Sequence, residues 1–379
     1  MVARVFMIIT LIVLFIWPYK VRSLDAVLPD KDSRGGEITG KALQYGSYGW
    51  QGYRGVNISA RVITEEDIKA FSEMKGNLVR VAFATEPLLK TEAPYDMNEE
   101  AFKKLDDILL WCGKYNVKAV IDPHIYPGFK ENVEKKDAEF WKDYQWHQYV
   151  IRLWETIAKR YGSQGSVIAG YDLFNEPYIP NGGKPGTPAD LNALYKKLVN
   201  AIRKYDSEHA IILELPAIRT SGGKFVHYFD STPYMELPED DNLVLSVHMY
   251  QPLAFTHHDV LPQYDVVYRL IEFFNGKHWD EKDLREEMEG IRQYSDEHQI
   301  PVFIGEFSAT RWLGSNGNQY IRSVIEICEE YGWSWSYHSF READVWDPEK
   351  SNTDRNDKKR YDSTPRLEIL KSFFERNDG

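Results

Sequence analysis

The chain alternates eight short runs of β-branched and aromatic residues with longer amphipathic segments. The runs are apolar on both faces, which is typical of strands covered on both sides of a parallel sheet. The segments between them repeat apolar residues at three- and four-residue spacing, which is typical of helices. Alternating strands and helices predict an α/β fold, and eight such units fit a (β/α)8 TIM barrel. The strand-like runs are residues 53–59, 78–84, 117–125, 167–177, 210–217, 243–252, 301–309 and 332–340.

Helix signals fall between the runs. Thr64 and Asp67 form a capping-box pattern at the start of a helix that Gly76 would end. A doubly wound open sheet is the alternative arrangement, but no glycine-rich phosphate-binding turn follows the first run, which favours the barrel. Further apolar stripes lie in residues 102–112, 140–161, 190–205, 281–298, 318–331 and 364–374.

The chain carries no internal repeat, low-complexity tract or linker that would mark a second domain. Residues 24–52 are rich in glycine and turn-forming residues, which predicts an irregular N-terminal cap. We therefore expect a single catalytic barrel domain over residues 24–379. Its longest insertions are expected at residues 253–280 and 341–362.

Residues 1–23 have the pattern of a secretory signal peptide. Arg4 precedes a 13-residue apolar run from Val5 to Trp17, which is too short to cross a bilayer comfortably. Cleavage near Ser23 would release a secreted protein, and an uncleaved anchor is the alternative. No later segment approaches the roughly 18 consecutive apolar residues of a spanning helix, so we expect no membrane association after cleavage.

The net charge of -12 argues against a nucleic-acid partner, because phosphates bind basic surfaces. The 11 Trp and 24 Tyr residues suit stacking against flat apolar faces such as those of sugar rings. A neutral, ring-bearing substrate such as a polysaccharide or oligosaccharide fits this composition, which does not identify it, and we expect a monomer. Cys112 and Cys328 lie in helix-like apolar segments and are predicted to be core residues, so neither a disulfide framework, a metal site nor a cofactor is indicated.

Polar and aromatic side chains cluster at the ends of the strand-like runs. Active sites of TIM barrels form at the C-terminal ends of the strands, so these side chains should converge on one opening. A lone histidine at a strand end is usually only hydrogen-bonded, but groups from six strands at one opening indicate a functional site. They are Arg80 (second run), Asp122 and His124 (third), Asn175 and Glu176 (fourth), His248 and Tyr250 (sixth), Glu306 (seventh), and Trp335, Tyr337 and His338 (eighth).

Two carboxylates stand out in this group. Glu176 belongs to the stretch YDLFNEP, in which Pro177 lacks the N–H that would continue the strand. Glu306 lies in the seventh run, across a barrel mouth from the fourth. Paired carboxylates on opposite sides of a bound sugar are what glycoside cleavage needs. The chain contains neither the G-x-S-x-G turn of an acyl-transfer nucleophile nor the HExxH motif of a zinc hydrolase.

The stretches LVRVAFA, IDPHIYPG, YDLFNEP, SVHMY and IGEFSA resemble those of glycoside hydrolase family 5, in the family's order, over residues 53–342. This is the cellulase family, in the clan of (β/α)8 retaining glycosidases. Asn-Glu-Pro alone is shared by several families of that clan, whereas its combination with His-x-Tyr and a later Gly-Glu-Phe is much more specific. The resemblance implies a retaining, endo-acting β-glycosidase, with β-1,4-glucan as the first expected substrate.

The resemblance also implies roles for the residues at the strand ends. Glu176 would be the acid/base and Glu306 the nucleophile. Asn175 would bond the 2-hydroxyl of the reacting sugar. Tyr250 would orient the nucleophile, and Arg80 would hold it ionised through charge pairing. The other expected contacts around the scissile bond are His124 and His248.

The eighth run departs from the family pattern. The family usually places a tryptophan there as a platform beneath the reacting sugar, but this chain has the sequence SYHSFRE, with His338 at that position. Trp335, slightly earlier, and Trp346, on the following loop, are the alternative platforms. All three residues are therefore candidate substrate contacts.

Several alternatives stay open. Within the family, the substrate could instead be β-mannan, mixed-linkage glucan, xyloglucan or, for an exo-acting enzyme, β-1,3-glucan. A second class is a catalytically inactive, carbohydrate-binding barrel, which the presence of Glu176 and Glu306 disfavours. A third is a metal-assisted enzyme that uses His257, His258 and the acidic tract 344–357, although adjacent histidines splay apart and charge runs are usually solvated. A structural Ca²⁺ in that tract is a related alternative.

Overall fold

Eight parallel strands close into a barrel in the computed structural model. The structure describes residues 50, 52–85, 87–129, 138–163, 165, 167–260 and 280–378. Each strand pairs in parallel with its neighbour in sequence, and the eighth pairs with the first. Each also lies within one of the strand-like runs, so the predicted TIM barrel is confirmed. The barrel strands are β1 (Arg54–Ser59), β2 (Leu78–Ala84), β3 (Lys118–Ile125), β4 (Ile168–Asp172), β5 (Ala210–Glu214), β6 (Leu243–Met249), β7 (Val302–Phe307) and β8 (Ser334–Tyr337).

Helices cover the outside of the barrel. The first begins with the predicted capping box, in which the Thr64 side chain accepts from the Asp67 N–H and the Asp67 side chain accepts from the Thr64 N–H. Residues 215–242, between β5 and β6, contain no α-helix, and short strands and 3-10 turns take its place. The helices are α1 (Glu65–Glu73), α2 (Glu99–Lys114), α3 (Tyr144–Tyr161), α4 (Leu191–Arg203), α5 (Leu253–Thr256), α6 (Glu281–His298), α7 (Gly314–Tyr331) and α8 (Pro365–Phe374).

A small three-stranded sheet links the loops that follow β4 and β5. Tyr178–Ile179 pairs in parallel with Ala217–Arg219, which pairs antiparallel with Phe225–Val226. Because Glu176 lies two residues before the first of these segments and Glu214 three residues before the second, the sheet fixes the ends of β4 and β5 relative to each other.

The barrel interior is divided into an apolar layer and a polar layer. Because side chains alternate along a strand, the inward positions two residues beyond the apolar layer in β2, β3 and β5 carry Arg80, Asp122 and Glu214. All three are buried. A charged layer therefore lies between the apolar layer and the C-terminal mouth of the barrel. The apolar layer consists of Trp50, Leu78, Val120, Ala169, Ala210, Ile212, Val244 and Phe303.

The two cysteines are core residues, as predicted. Cys112 on α2 and Cys328 on α7 are buried, free thiols within the apolar cluster between strands and helices. Burial raises the pKa of Cys112 to about 12. Both thiols therefore stay protonated and pack as small apolar side chains.

No helix of the described ranges has the length and apolar character needed to cross a membrane. The expected signal peptide (residues 1–23) lies outside the described residues, as does the expected N-terminal cap (24–52) apart from residues 50 and 52. Residues 261–279 of the expected insertion at 253–280 also lie outside them.

A single arginine organises the insertion after β8. Arg311 is fully buried, and its guanidinium donates to five backbone carbonyls of this segment at 2.5–3.0 Å. The acidic tract 344–357 therefore surrounds the guanidinium of Arg311. The five accepting residues are Asp344, Ser351, Asp354, Arg355 and Asp357.

Replacing Arg311 with methionine should lower the free energy of unfolding by at least about 3 kcal/mol, because five backbone carbonyls lose the charged donor that they share. Arg322→Met is the matched control. Arg322 lies on the surface, 3.9 Å from Glu326, and such exposed pairs contribute under about 1 kcal/mol. Urea denaturation of both variants measures the difference, and equal midpoints would show that Arg311 does not hold the insertion.

Candidate active site

The polar layer is built around Arg80, which projects from β2 into the barrel. All five of its N–H groups are used. Burial opposes its charge, but the surrounding carboxylates raise the pKa of Arg80 well above its usual value. Asp122 Oδ2 lies 3.1 Å from its Nη1. The five acceptors are Asp172 Oδ2 (2.8 Å, from Nε), Asn57 Oδ1 (3.1 Å) and Glu306 Oε1 (2.7 Å, both from Nη1), and Asn175 Oδ1 (3.1 Å) and Glu214 Oε1 (3.0 Å, both from Nη2).

A shift in strand register turns Glu306 into the barrel. Phe303 belongs to the apolar interior layer, so simple alternation along β7 would turn Glu306 outward. The pairing with β6 shifts between Ile304 and Glu306, as in a β-bulge. Gly305 at this point has no room for a side chain, because a Cβ would lie 2.8 Å from Ser246 Oγ.

Glu306 is held by two hydrogen bonds. Its Oε1 accepts from Arg80 at 2.7 Å, and its Oε2 accepts from the Tyr250 hydroxyl at 2.9 Å. Burial disfavours its charge, but His248, His338 and Arg80 outweigh that effect and keep the pKa of Glu306 well below its usual range. Glu306 is therefore a fixed, ionised carboxylate at neutral and mildly acidic pH.

Glu176 follows β4 with a left-handed backbone, at a φ of 44°, which is uncommon for a residue other than glycine. Its N–H donates to Glu214 Oε2 at 2.7 Å, and its Oε1 is hydrogen-bonded to His248 Nδ1 at 3.0 Å. The Glu176 side chain is 32% exposed, compared with 7% for Glu306. One oxygen of each of these two carboxyl groups lies within 4.8 Å of the other.

Asn175 is fixed on both sides of its amide. Its Oδ1 accepts from Arg80, and its Nδ2 lies 3.2 Å from His124 Nε2. His124 Nδ1 is in turn hydrogen-bonded to Asp122 Oδ2 at 2.8 Å. In the neutral ring these contacts place the proton on Nδ1. Burial opposes a second proton, but Asp122 raises the pKa of His124 above its usual value.

Several ring side chains lie near Oε2 of Glu306. His338 follows β8, and its Nδ1 lies 3.6 Å from Glu306 Oε2. The Trp346 ring lies 6.2 Å from that of His338 and 6.3 Å from that of Tyr250. His257 lies 5.1 Å from Trp346, and burial lowers the pKa of His257 to about 4. His338 and Trp346 therefore both belong to the site.

Trp335 lies outside this site. It is fully buried, its ring stacks on Phe374 of α8, and its Nε1 donates to Glu329 of α7 at 3.0 Å. The expectation that Trp335 contacts substrate is wrong, because its position in β8 turns the ring toward the outer helices. The ring packs in the core between the barrel and those helices.

Three residues of the site are absent from the sequence-based prediction: Glu214, Asp172 and Asn57. Each accepts a hydrogen bond from Arg80. Each is also a polar residue within a strand-like run. That signal could have found them, because a buried polar group near the C-terminal end of a barrel strand faces either the site or a helix.

Within the described part of the chain, one group of side chains could hold a metal ion, namely Glu176, His248 and Glu306. The hydrogen bonds described above already engage all three. His257, His258 and the tract 344–357 form no such group among the described residues. The tract instead surrounds Arg311.

The two carboxyl groups differ in environment. Glu306 is buried and held ionised by neighbouring cations, whereas Glu176 is partly exposed at the mouth and lies beside the carboxylate of Glu214. Placing two carboxyl groups in such different surroundings is how one protein keeps one ionised while the other carries a proton. The arrangement can therefore attack a bound group from one side and protonate it from the other.

Removing the His338 imidazole should change the shape of the pH profile. A positive charge on His338 helps to hold the pKa of Glu306 down, so His338→Ala should raise that pKa. Activity that requires ionised Glu306 should then begin to fall at a higher pH on the acid side. The measurement is kcat/KM from pH 4 to 8.

Trp346→Ala is the matched comparison, because the Trp346 ring lies beside His338. Loss of a ring that stacks on a sugar should weaken substrate binding by roughly 1–3 kcal/mol and leave the shape of the pH profile unchanged. If His338→Ala only scales the profile and Trp346→Ala has no effect, neither side chain acts on the substrate.

Comparison with known proteins relates the chain to one family. The family model described as Cellulase (glycosyl hydrolase family 5) matches residues 37–344. Endoglucanase C of Acetivibrio thermocellus is 24% identical over 303 residues, which cover 73% of this chain and 84% of that protein. Beta-xylosidase of Phanerodontia chrysosporium is 25% identical over 295 residues, covering 74% of this chain. The chain spans only 56% of the length of that xylosidase.

Solved structures share the fold. The endoglucanase Cel5A from Thermotoga maritima superposes with a TM-score of 0.65 at 23% identity, covering 84% of this chain and 96% of that one. A structure of the same enzyme described as a complex with mannotriose substrate superposes with a TM-score of 0.63 at 23% identity, over 84% of this chain and 96% of that one.

Proposed function

The chain belongs to glycosyl hydrolase family 5 and is a glycoside hydrolase, and from that premise we propose that it is a secreted, retaining endo-β-1,4-glucanase. The separation of Glu176 and Glu306 carries the proposal. Retaining glycosidases hold their two carboxyl groups about 5–5.5 Å apart, whereas inverting enzymes hold them about 6.5–9.5 Å apart to admit a water. Oxygens within 4.8 Å of each other support the retaining arrangement.

The reaction proceeds in two displacements. In the first, Glu306 attacks the anomeric carbon, the bond from that carbon to the glycosidic oxygen breaks, and Glu176 gives its proton to the departing oxygen. In the second, Glu176 takes a proton from water, the water oxygen bonds to the anomeric carbon, and the bond to Glu306 breaks. Both carboxyl groups then regain their starting protonation states.

The neighbouring side chains support these roles. Arg80 and Tyr250 hold the two oxygens of Glu306 for attack. Asn175 is fixed beside Glu176 by Arg80 and His124, where its amide would bond the 2-hydroxyl of the sugar. Such a bond strengthens as the transition state forms, which is where binding lowers the barrier.

The substrate class rests on the relatives. Those whose length the chain largely covers are named endoglucanases, which supports β-1,4-glucan. The mannotriose complex of the Thermotoga maritima enzyme supports β-mannan as a second candidate.

Secretion rests on the apolar run after Arg4. If the run is removed as a signal peptide, the released enzyme should begin near Leu24. N-terminal sequencing of enzyme from the culture medium tests this, and a sequence that begins at Met1 would refute cleavage.

The substrate is tested by reducing-sugar release from carboxymethylcellulose, barley glucan, mannan, xyloglucan and laminarin. We expect the highest rate on carboxymethylcellulose or barley glucan. A highest rate on mannan would support the second candidate. Binding without release from any of the five would instead support an inactive, carbohydrate-binding barrel.

A further inference from the structure

A buried carboxylate on β5 contacts three groups around the proposed acid/base. Glu214 is 1% exposed. Its Oε2 accepts the Glu176 N–H at 2.7 Å, and its Oε1 accepts from Arg80 at 3.0 Å. The same Oε1 lies 3.0 Å from Nε2 of His248, the ring whose Nδ1 is bonded to the Glu176 carboxyl.

We propose that Glu214 is a positioning residue, which holds the backbone and the carboxyl group of Glu176 in place for proton transfer. The proposal rests on the proposed function, because it gives Glu214 a part in that reaction. Glu214 reaches Glu176 by two routes, one through the backbone and one through His248.

The first route fixes the backbone. Glu176 has the left-handed conformation, which a residue with a Cβ adopts only when its surroundings hold it there. A hydrogen bond from an N–H to a carboxylate is stronger than one between neutral groups. The bond to Glu214 therefore helps to keep this turn, which presents the Glu176 carboxyl to the mouth of the barrel.

The second route passes through His248. Burial opposes a charge on this ring, but Glu214 and Glu306 raise the pKa of His248 well above its usual value. In the charged ring, Nδ1 is hydrogen-bonded to Glu176, whereas Nε2 lies 3.0 Å from Glu214 Oε1 as an ion pair without the alignment of a hydrogen bond. Removing the negative charge of Glu214 would weaken this arrangement and change the hydrogen bond at the Glu176 carboxyl.

Several other charged and titratable groups surround Glu214. Arg80 donates to it, and burial together with Glu214 raises the pKa of Asp172 well above its usual value. The groups that face Glu214 are Arg80 on β2, Asp172 on β4, His248 on β6, Tyr195 on α4 and Tyr228 after β5.

The test is Glu214→Gln, which keeps the size of the side chain and removes its charge. We expect kcat/KM for barley glucan to fall by about 30- to 100-fold, because a misplaced acid protonates the leaving oxygen poorly. For 2,4-dinitrophenyl β-cellobioside, whose leaving group needs no proton, the loss should stay below about 3-fold. The alkaline limb of the pH profile should move to lower pH, since the charge of Glu214 disfavours ionisation of Glu176.

Asp172→Asn is the matched control. Asp172 is an equally buried acid on Arg80 whose contact is with Nε of that guanidinium. The Asp172→Asn substitution should lower kcat/KM for both substrates by the same factor. Equal losses on both substrates in Glu214→Gln, with an unmoved alkaline limb, would overturn the proposal and leave Glu214 a structural residue only.

An imidazole titration separates this proposal from the proposed function. The ¹⁵N resonances of His248 should titrate at lower pH in Glu214→Gln than in the wild type. An unchanged titration would overturn the route through His248 whether or not the protein is active. If the wild type cleaves neither substrate, the proposed function fails. The ¹⁵N titration would still test whether Glu214 acts on His248.

Discussion

Replacement of Glu306 by alanine should reduce turnover of β-glucan on the order of 10⁴-fold or more, because it removes the proposed nucleophile. Glu306 is the carboxylate that Arg80 and Tyr250 hold at its two oxygens, with neighbouring cations that keep it ionised. Steady-state kinetics on barley glucan measure the loss. Glu306→Gln, which keeps the size and removes the charge, should lose as much.

Azide distinguishes the nucleophile from the acid/base. In Glu306→Ala, azide can enter the vacated space and attack an activated β-glycoside on the face opposite the leaving group. The product should be an α-glycosyl azide, of inverted configuration. Glu306→Gln leaves no such space and should respond less. Formation of a β-glycosyl azide by Glu306→Ala would show that the two glutamates have the opposite roles.

Replacement of Glu176 by alanine should have the second largest effect. We expect kcat/KM for β-glucan to fall by about 10²- to 10⁴-fold, the usual contribution of a general acid. The same parameter for 2,4-dinitrophenyl β-cellobioside should fall much less, because dinitrophenolate departs without a proton. Azide should here give a β-glycosyl azide, by attack on the sugar bound to Glu306.

The outcome that would contradict this role of Glu176 is an equal loss on the two substrates. A loss that does not depend on the leaving group means that the residue removed does not protonate it. His248→Ala is an informative comparison, since it removes the hydrogen-bond partner of the Glu176 carboxyl but keeps the carboxyl itself. In His248→Ala, kcat/KM should fall more for β-glucan than for 2,4-dinitrophenyl β-cellobioside. Both losses should be smaller than those of Glu176→Ala.

The fold could be predicted from the sequence because its information is local. Each barrel strand pairs with its neighbour in sequence, so eight apolar runs separated by helical stripes determine the order of the sheet. The missing helix between β5 and β6 also follows from the sequence, since residues 215–242 show no helical stripe. The layer of charges inside the barrel is less evident, because it depends on which alternating positions point inward.

The site could be predicted where short motifs mark the ends of strands, as for Glu176 and Tyr250. Glu214 was not predictable in that way, because its importance lies in contacts with Arg80, Glu176 and His248, which belong to distant parts of the chain. Trp335 shows the converse. It lies on β8, where a substrate platform was expected, but its ring points to the outer helices and away from the barrel mouth.

Glu306 illustrates why alternation alone is not enough. Its inward direction depends on the register shift in β7, which Gly305 accommodates and which no periodic pattern encodes. Counting alternate residues from Phe303 would place Glu306 among the helices. The motif Gly-Glu-Phe includes the glycine at which the register shifts.

The stereochemistry of the first product tests the central claim most directly. The enzyme should be mixed with a cello-oligosaccharide in an NMR tube, and the anomeric proton of the new reducing end followed from the first minutes. Two displacements at the anomeric carbon should produce the β-anomer first, with the α-anomer growing in later by mutarotation. Initial appearance of the α-anomer would contradict the retaining mechanism assigned to Glu176 and Glu306.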